Sequence, residues 1–357
     1  MLRRHGALCY LCLVFVLLLP FPQGRAGDVS VEIRADVGLF YQQLAPYGFW
    51  AELKTGHLAW VPTETPTDWR PYTMGEWSYT LEQGWLWKSA WSWGWATFHY
   101  GRWLFDVDYG WAWVPGSQWA PSWVAWRVGG DVIGWAPLSP DIELSEGVQR
   151  LDDQTLNRHI DIYAWSFVPV ADVFSKSLHA KSIIMSARNA TMVKKTSPST
   201  QYEIHRDKVV NYGVAPQRLT DKYHLDTRYM EMVDVTFPGG IAATHLAPHQ
   251  VAVFRPVVEL ESNAHPPIGN VGIAKMSKDV LTKKHKSLSS SLDMYHMLEV
   301  KAMARIHNQQ SDDAAGINPI LNEQQQGELD SLKRLHVREQ NVLKKRIKRD
   351  LEIVGGR

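Results

Sequence analysis

The chain has 357 residues, 38 Lys+Arg against 37 Asp+Glu and a formal net charge of +1. That length suits two domains with appendages rather than one small module. The balanced charge excludes a globally basic nucleic-acid binder, and a hydrophobic content of 45% excludes wholesale disorder.

Residues 1–26 read as a secretory signal peptide. Arg3 and Arg4 precede an apolar run from Leu8 to Leu19, and Gly24-Arg25-Ala26 gives a small-x-small cleavage site. The run is short of the ~20 residues that span a bilayer, and no later run approaches that length. An exported protein with no transmembrane segment in its mature chain is expected. Cys9 and Cys12, the only cysteines, both lie in the leader. The mature chain is therefore expected to hold no disulfide, no cysteine metal site and no thiol nucleophile.

Residues 36–140 carry a repeat. Sixteen of the 17 tryptophans fall between Trp50 and Trp135. Trp69-Arg-Pro-Tyr72, Gly75-Glu-Trp77-Ser-Tyr79 and Gly84-Trp85-Leu-Trp87 recur 26 residues later as Trp95-Ala-Thr-Phe98, Gly101-Arg-Trp103-Leu-Phe105 and Gly110-Trp111-Ala-Trp113. A looser copy precedes them, with Trp50 to Trp77 and Trp60 to Trp87 both 27 apart, and another follows at spacings of 23 (Trp103 to Trp126) and 24 (Trp111 to Trp135). About four units result. Each reads as a β-hairpin: large and small residues alternate with the period of a strand. Gly84 and Gly110 end short turns where positive φ is needed. Trp91-Ser-Trp93-Gly-Trp95 would place three indoles on one face of a further strand. A body of this size buries only part of its surface, and each indole offers ~150–250 Å². Some rings are therefore expected to remain accessible and to line a groove.

These strings, with Trp119-Ala-Pro-Ser-Trp123-Val-Ala-Trp126-Arg127 and Gly134-Trp135-Ala-Pro137, resemble an exported, tryptophan-rich bacterial family known only as a domain of unknown function, family 6600. The resemblance continues through Phe167-Val-Pro-Val and Val209-Val-Asn211-Tyr-Gly213-Val-Ala-Pro216, so it is expected to cover about 36–260. Where the family has Asn-Arg-Gly, this chain has Asn211-Tyr212-Gly213, and no arginine site is carried over. The resemblance implies export into the periplasm, outer envelope or surroundings of a bacterium, and it implies no substrate.

Residues 141–261 read as a β-rich α+β domain. Strands are expected over 160–170, 183–193, 202–210, 230–237 and 250–258, with a short helix over 216–223, where Pro216 suits a first helical position. Basic residues outnumber acidic ones by ten to four over 173–228, against five to eight over 50–135. Residues 262–291 are rich in Pro, Gly, Lys and Ser and read as a flexible linker. Residues 292–357 read as a charged helical tail, in which His336 and Glu339 interrupt any heptad. The basic cluster Arg346–Arg349 would make weak contact with an anionic envelope surface. The fold class expected is mainly β: a hairpin meander closed as a barrel or sandwich, or an open solenoid, followed by the second domain and the tail.

Catalytic chemistry is sparse. Asp106 and Asp108 would lie ~6.6 Å apart on a strand, near the spacing of paired glycosidase carboxylates, yet the repeat places them at a turn. His245 and His249 have a metal-like interval, but Pro248 argues against a shared helical face and no glutamate lies between them. There is no nucleophile elbow and no phosphate-binding glycine loop. Asn189-Ala-Thr191 is a glycosylation sequon only in a eukaryotic host. No enzyme activity, cofactor or metal is expected. Three readings stay open: a binding module for glycan, peptidoglycan or an envelope protein; a structural protein whose tryptophans are all core; and a hydrolase. The binding reading draws on Trp91, Trp93, Trp95, His99, Tyr100, Arg102, Trp103, Trp126 and Arg127. There flat rings sit beside directional donors, and guanidinium–indole stacking is the simpler account of the arginines.

Overall fold

The computed structural model describes residues 34–66, 69–176, 178, 184–225, 227, 229–260, 265–266, 273, 276–313 and 319–355. The expected signal peptide lies outside the described residues. So do parts of the expected linker.

Four hairpins form where the repeat requires them: β2 (Gly48–Glu52) with β3 (Leu58–Pro62), β4 (Gly75–Thr80) with β5 (Gly84–Ser89), β6 (Arg102–Asp106) with β7 (Gly110–Val114), and β8 (Val124–Gly129) with β9 (Val132–Pro137). Each places one tryptophan directly opposite another: Trp50 and Trp60, Trp77 and Trp87, Trp103 and Trp113, Trp126 and Trp135. Cross-strand pairs of this kind are the unit that stabilises a sheet. They also correct the alignment of the fourth copy, in which Trp135 corresponds to Trp113 and not to Trp111. Gly84 and Gly110 take φ of +79° and +78° at the turns.

The hairpins do not run as one meander. The first and third join through Trp60 and Trp113 into one sheet, ordered β2-β3-β7-β6. The fourth lies in a sheet ordered β11-β9-β8-β12, with β11 (Ser166–Pro169) and β12 (Ser197–Pro198). The second is central in a seven-stranded sheet ordered β10-β13-β14-β5-β4-β15-β16, with β10 (Gly147–Leu151), β13 (Thr200–His205), β14 (Lys208–Asn211), β15 (Tyr229–Asp234) and β16 (Gln250–Val253). A parallel pair, β1 (Arg34–Asp36) and β17 (Val257–Glu259), ties the start of the described body to residue 259. Strands from 141–261 thus complete sheets that the repeat begins, and Ile33–Arg357 is one compact unit.

Helices depart most from expectation. The short helix Pro216–Tyr223 forms as read. Residues 186–195 are a 3-10 turn followed by the helix Asn189–Lys195, not a strand. Trp91–Trp95 is not a strand either: Ser89 Oγ accepts from the Trp91 backbone N–H (3.0 Å), and a one-turn helix, Gly94–Thr97, follows. Gly94 sits so close to Ser89 that a Cβ there would lie 2.3 Å from its side chain. Residues 278–291, expected as linker, begin a 36-residue helix, Lys278–Asp313, here α1; a 37-residue helix, Pro319–Gly355, here α2, follows. Lys and Ser are tolerated in helices, and buried Leu281, His285 and Leu292 supply the helical spacing. The described chain is 41% helical, so the class is mixed α and β rather than mainly β.

The first core gathers the hairpin tryptophans around Phe40, Leu44, Val251 and Val253. A second surrounds Trp123, Trp165 and Tyr202, and a third covers the opposite face of the β2-β3-β7-β6 sheet. No helix among the described residues is long and apolar enough to cross a membrane.

Candidate functional site

Fourteen of the sixteen repeat tryptophans are buried; only Trp91 and Trp111 are partly exposed. The surplus of accessible indole expected from domain size is therefore not present. The reason is structural. The repeat is not a 100-residue domain alone, because strands from 141–261 and the two long helices cover it. Seven of the indoles donate to polar partners, as Trp60 does to the Leu44 carbonyl (3.2 Å), Trp113 to that of Tyr100 (2.7 Å) and Trp135 to that of Tyr72 (2.8 Å). Others pack edge-on to neighbouring rings: Trp77 lies 4.7–6.0 Å from Trp85, Trp87, Trp126 and Trp135. The Trp77 indole N–H has no hydrogen-bond partner among the described residues, so ring packing alone holds that side chain.

Five of the nine residues put forward for binding belong to this framework. Tyr100 is sealed and its hydroxyl donates to the Pro256 carbonyl. Trp103 and Trp126 are core. Arg127 is buried, donating to Asp153 Oδ1 (2.6 Å), to Thr196 and to the Val193 carbonyl. Arg102 lies 3.5 Å over the Trp123 ring, the stacking arrangement named as the simpler account.

Trp91, Trp93, Trp95 and His99 do meet, at a cleft of about 660 Å³. That size falls within the range of small-ligand clefts. Trp91 forms its partly exposed wall, stacked on buried Trp93 (5.2 Å, 14° between planes). Trp95 lies beneath, edge-on to Phe254 at 4.9 Å. Lys88, Ser89 and Ser92 also line the cleft, as do Gln43, from the short helix Gly38–Leu44, and Tyr47, three residues beyond that helix. Pro238, Gly239, Ile241, Ala242, Leu246 and Val251–Phe254 form the opposite wall. Pattern reading missed this wall because nothing in its sequence repeats; only exposed Phe237 and Ile241 beside the Pro238-Gly239 turn mark it.

The cleft carries no free charge among its described lining. Lys88 is paired with Glu76. Burial drives His99 down to about 4, only partly opposed by backbone bonds. Its Nδ1 donates to the Ala120 carbonyl (2.9 Å) and its ring stacks on Trp119. It is a neutral imidazole at physiological pH. A somewhat larger depression of about 760 Å³ lies at Trp119 and Arg255. There the indole is buried, and Arg255 is engaged by both oxygens of Asp234 and by Gln83.

The carboxylates considered for catalysis build a turn. Asp106 Oδ1 accepts from the backbone N–H of Asp108 (2.7 Å) and Tyr109 (2.9 Å). Hydrogen bonds from Lys345 and Lys54 hold Asp108 down at about 2. It is a permanent anion with no proton to give at neutral pH. Lys345 belongs to the basic end of α2, so that end faces the protein's own turn. Arg346 donates to the Thr63 carbonyl and Arg349 to that of Asp108 (both 3.0 Å). Asn189, the sequon asparagine, has no exposed surface and donates to the carbonyls of Ile162 and Trp165. No group of three or more His, Cys, Asp or Glu among the described residues could hold a metal ion.

Paired-tryptophan hairpins, shared sheets and an uncharged aromatic cleft define a tryptophan-cored β-hairpin protein. Residues 41–142, which hold all four hairpins, match the model of a family of unknown function, DUF6600. The match ends at 142, short of the expected 260. No curated protein and no solved structure matches the chain.

Proposed function

We propose that this is a non-enzymatic, exported envelope protein that binds an uncharged glycan in the cleft walled by Trp91. The observation that carries the reading is Trp91 itself. It is the one partly exposed repeat indole at a ligand-sized cleft, with hydroxyl and amide side chains around its ring. A pyranose has apolar C–H faces and peripheral hydroxyls and suits that combination. The absence of free charge in the described lining favours neutral polysaccharide over acidic peptidoglycan strands. The burial of fourteen of the sixteen repeat indoles favours a second role for the repeat, as the scaffold that holds the cleft.

Retention on insoluble polysaccharides, neutral and acidic, tests this. Trp91→Ala is expected to weaken retention on the neutral polymer roughly thirtyfold, about 2 kcal/mol, as loss of an aromatic anchor does. Trp111→Ala, at an indole that does not line this cleft, should leave retention intact. Retention that ignores Trp91→Ala would leave only the scaffold role.

A further inference from the structure

The two long helices run antiparallel, and each of their four histidines meets a carboxylate of the other helix. His285 Nε2 lies 3.0 Å from Asp350, His296 2.7 Å from Glu339, His336 2.8 Å from Glu299, and His307 2.9 Å from Glu328. The rungs keep a single register: each step forward along α1 is matched by the same step back along α2. Leu292, Met303 and Leu332 fill the seam beside them. At its centre the rings of His296 and His336 stack at 3.7 Å, with 13° between planes. His336 and Glu339, which interrupt the heptad in sequence, are thus two of the seam's own pairing residues.

A seam built for stability alone would use apolar residues, since buried ion pairs seldom improve on them. Histidine is the side chain whose charge changes near physiological pH. We propose that the α1–α2 hairpin is an acid-released strap: protonation of the His296–His336 stack opens the seam and uncovers the aromatic face around Trp111. That face lies under the strap at neutral pH, where a cavity of only about 140 Å³ separates Trp69, Phe105 and Trp111 from Leu292, Leu335 and Val342.

Each imidazole Nε2 lies within hydrogen-bond distance of its carboxylate, so the ladder is closed in the structure. Charging both rings would set two like charges in van der Waals contact. Burial, and next the charge of His336, hold His296 below its ordinary value of 6.5, against the pull of Glu299 and Asp293. Burial pushes Glu328 up, but bonds from His307 and Thr191 and the charge of Arg188 outweigh it and hold it below the usual carboxylate value. Both groups are depressed in the folded state, so the open strap binds more protons. The stabilisation is complete above about pH 6.5 and is lost as pH falls. Other charged or titratable groups face the ladder. Tyr295 donates to Glu299 (2.9 Å), Arg346 lies 4.0 Å from Asp350, and Arg188 reaches Glu328 from the body. Arg338–Asp161 and Lys345–Asp108 hold the outer side of α2 to the body, and neither contains histidine.

Hydrogen exchange of the full chain tests the strap. Between about pH 7.5 and pH 5, after correction for intrinsic rates, protection over 278–355 is expected to fall at least about tenfold. Strands 75–89 should stay protected. In His296→Gln/His336→Gln, whose amides can donate to the same carboxylates without charging, the acid loss should shrink to within about twofold. Equal protection of 278–355 at both pH values, simultaneous loss over 75–89, or an undiminished acid response in the variant would each overturn the proposal. Should the variant not fold, proton titration of His296 and His336 in the native chain decides. Two rings that gain protons together at the ordinary histidine pH would also overturn it.

Discussion

Asn211 has no exposed surface, yet its amide serves three groups. Its Oδ1 accepts from the Trp126 indole (3.2 Å), and its Nδ2 donates to Ser122 Oγ (3.0 Å) and to the Tyr202 hydroxyl (2.9 Å). Two residues on, Gly213 takes φ of +48°, and a Cβ there would lie 2.6–2.7 Å from the rings of Trp85 and Trp126. Asn211→Ala is expected to cost about 1–3 kcal/mol, because the buried Trp126 N–H loses its acceptor and the Ser122 and Tyr202 hydroxyls lose a donor. Gly213→Ala adds backbone strain to overpacking and should cost about 1–3 kcal/mol or more. Urea midpoints measured at an unchanged slope check both. His99 adds a pH dependence at the same scale. It stays neutral in the fold down to about 4 but takes up its proton near 6.5 when unfolded, so acid between those values lowers global stability. A His99 imidazole resonance that titrates near 6.5 in the native protein would contradict this.

Within one hairpin, distance from the turn decides how far each tryptophan is sealed. On β6 and β7, Trp103, Trp113 and Trp111 share one face of the ladder: Trp103 and Trp113 are sealed in the first core, whereas Trp111, next to the turn, is only partly buried and packs edge-on to Phe105 (5.6 Å, 88°). Trp103→Ala removes a sealed ring and its bond to the Thr97 carbonyl (2.8 Å), and should cost about 3–5 kcal/mol. Trp111→Ala should cost less than half as much; thermal midpoints of the two variants give the comparison. The four hairpins were legible in the sequence because a period of two and turn glycines are local signals. Trp91–Trp95 carries the same alternation without being a strand. What bends it is Gly94 against Ser89, a close approach that no pattern reveals. The linker reading of 278–291 failed for a related reason. Its leucines are sparse, and the seam is completed by His285, a residue that ordinarily lowers an apolar score. The opposite wall of the cleft was not legible at all, since residues 238–254 join Trp91 only through the fold. A mirrored spacing of His on one helix and Asp or Glu on the other was the available signal for the ladder, and it is visible only once antiparallel pairing is assumed.

For the molecule as a whole, the tryptophans have two separate routes to water. Trp91 opens on the cleft and Trp111 lies under the helical strap, while the remaining repeat indoles and Trp165 are buried. Emission from the native protein at neutral pH should therefore be blue-shifted, and acrylamide should reach only a small fraction of it. Trp91→Phe should remove most of that fraction, and neutral glycan should protect it in the unaltered chain. Acidification should add a second quenchable component from Trp111, which glycan does not protect and which His296→Gln/His336→Gln suppresses. His99 acts on global stability in the same pH range, but it exposes every indole at once and leaves the double variant as sensitive as the native chain. The two acid effects are thus separable by which emission becomes quenchable first. A quenchable fraction at neutral pH that survives Trp91→Phe unchanged would place the accessible indole elsewhere and remove the cleft's claim to be the binding site.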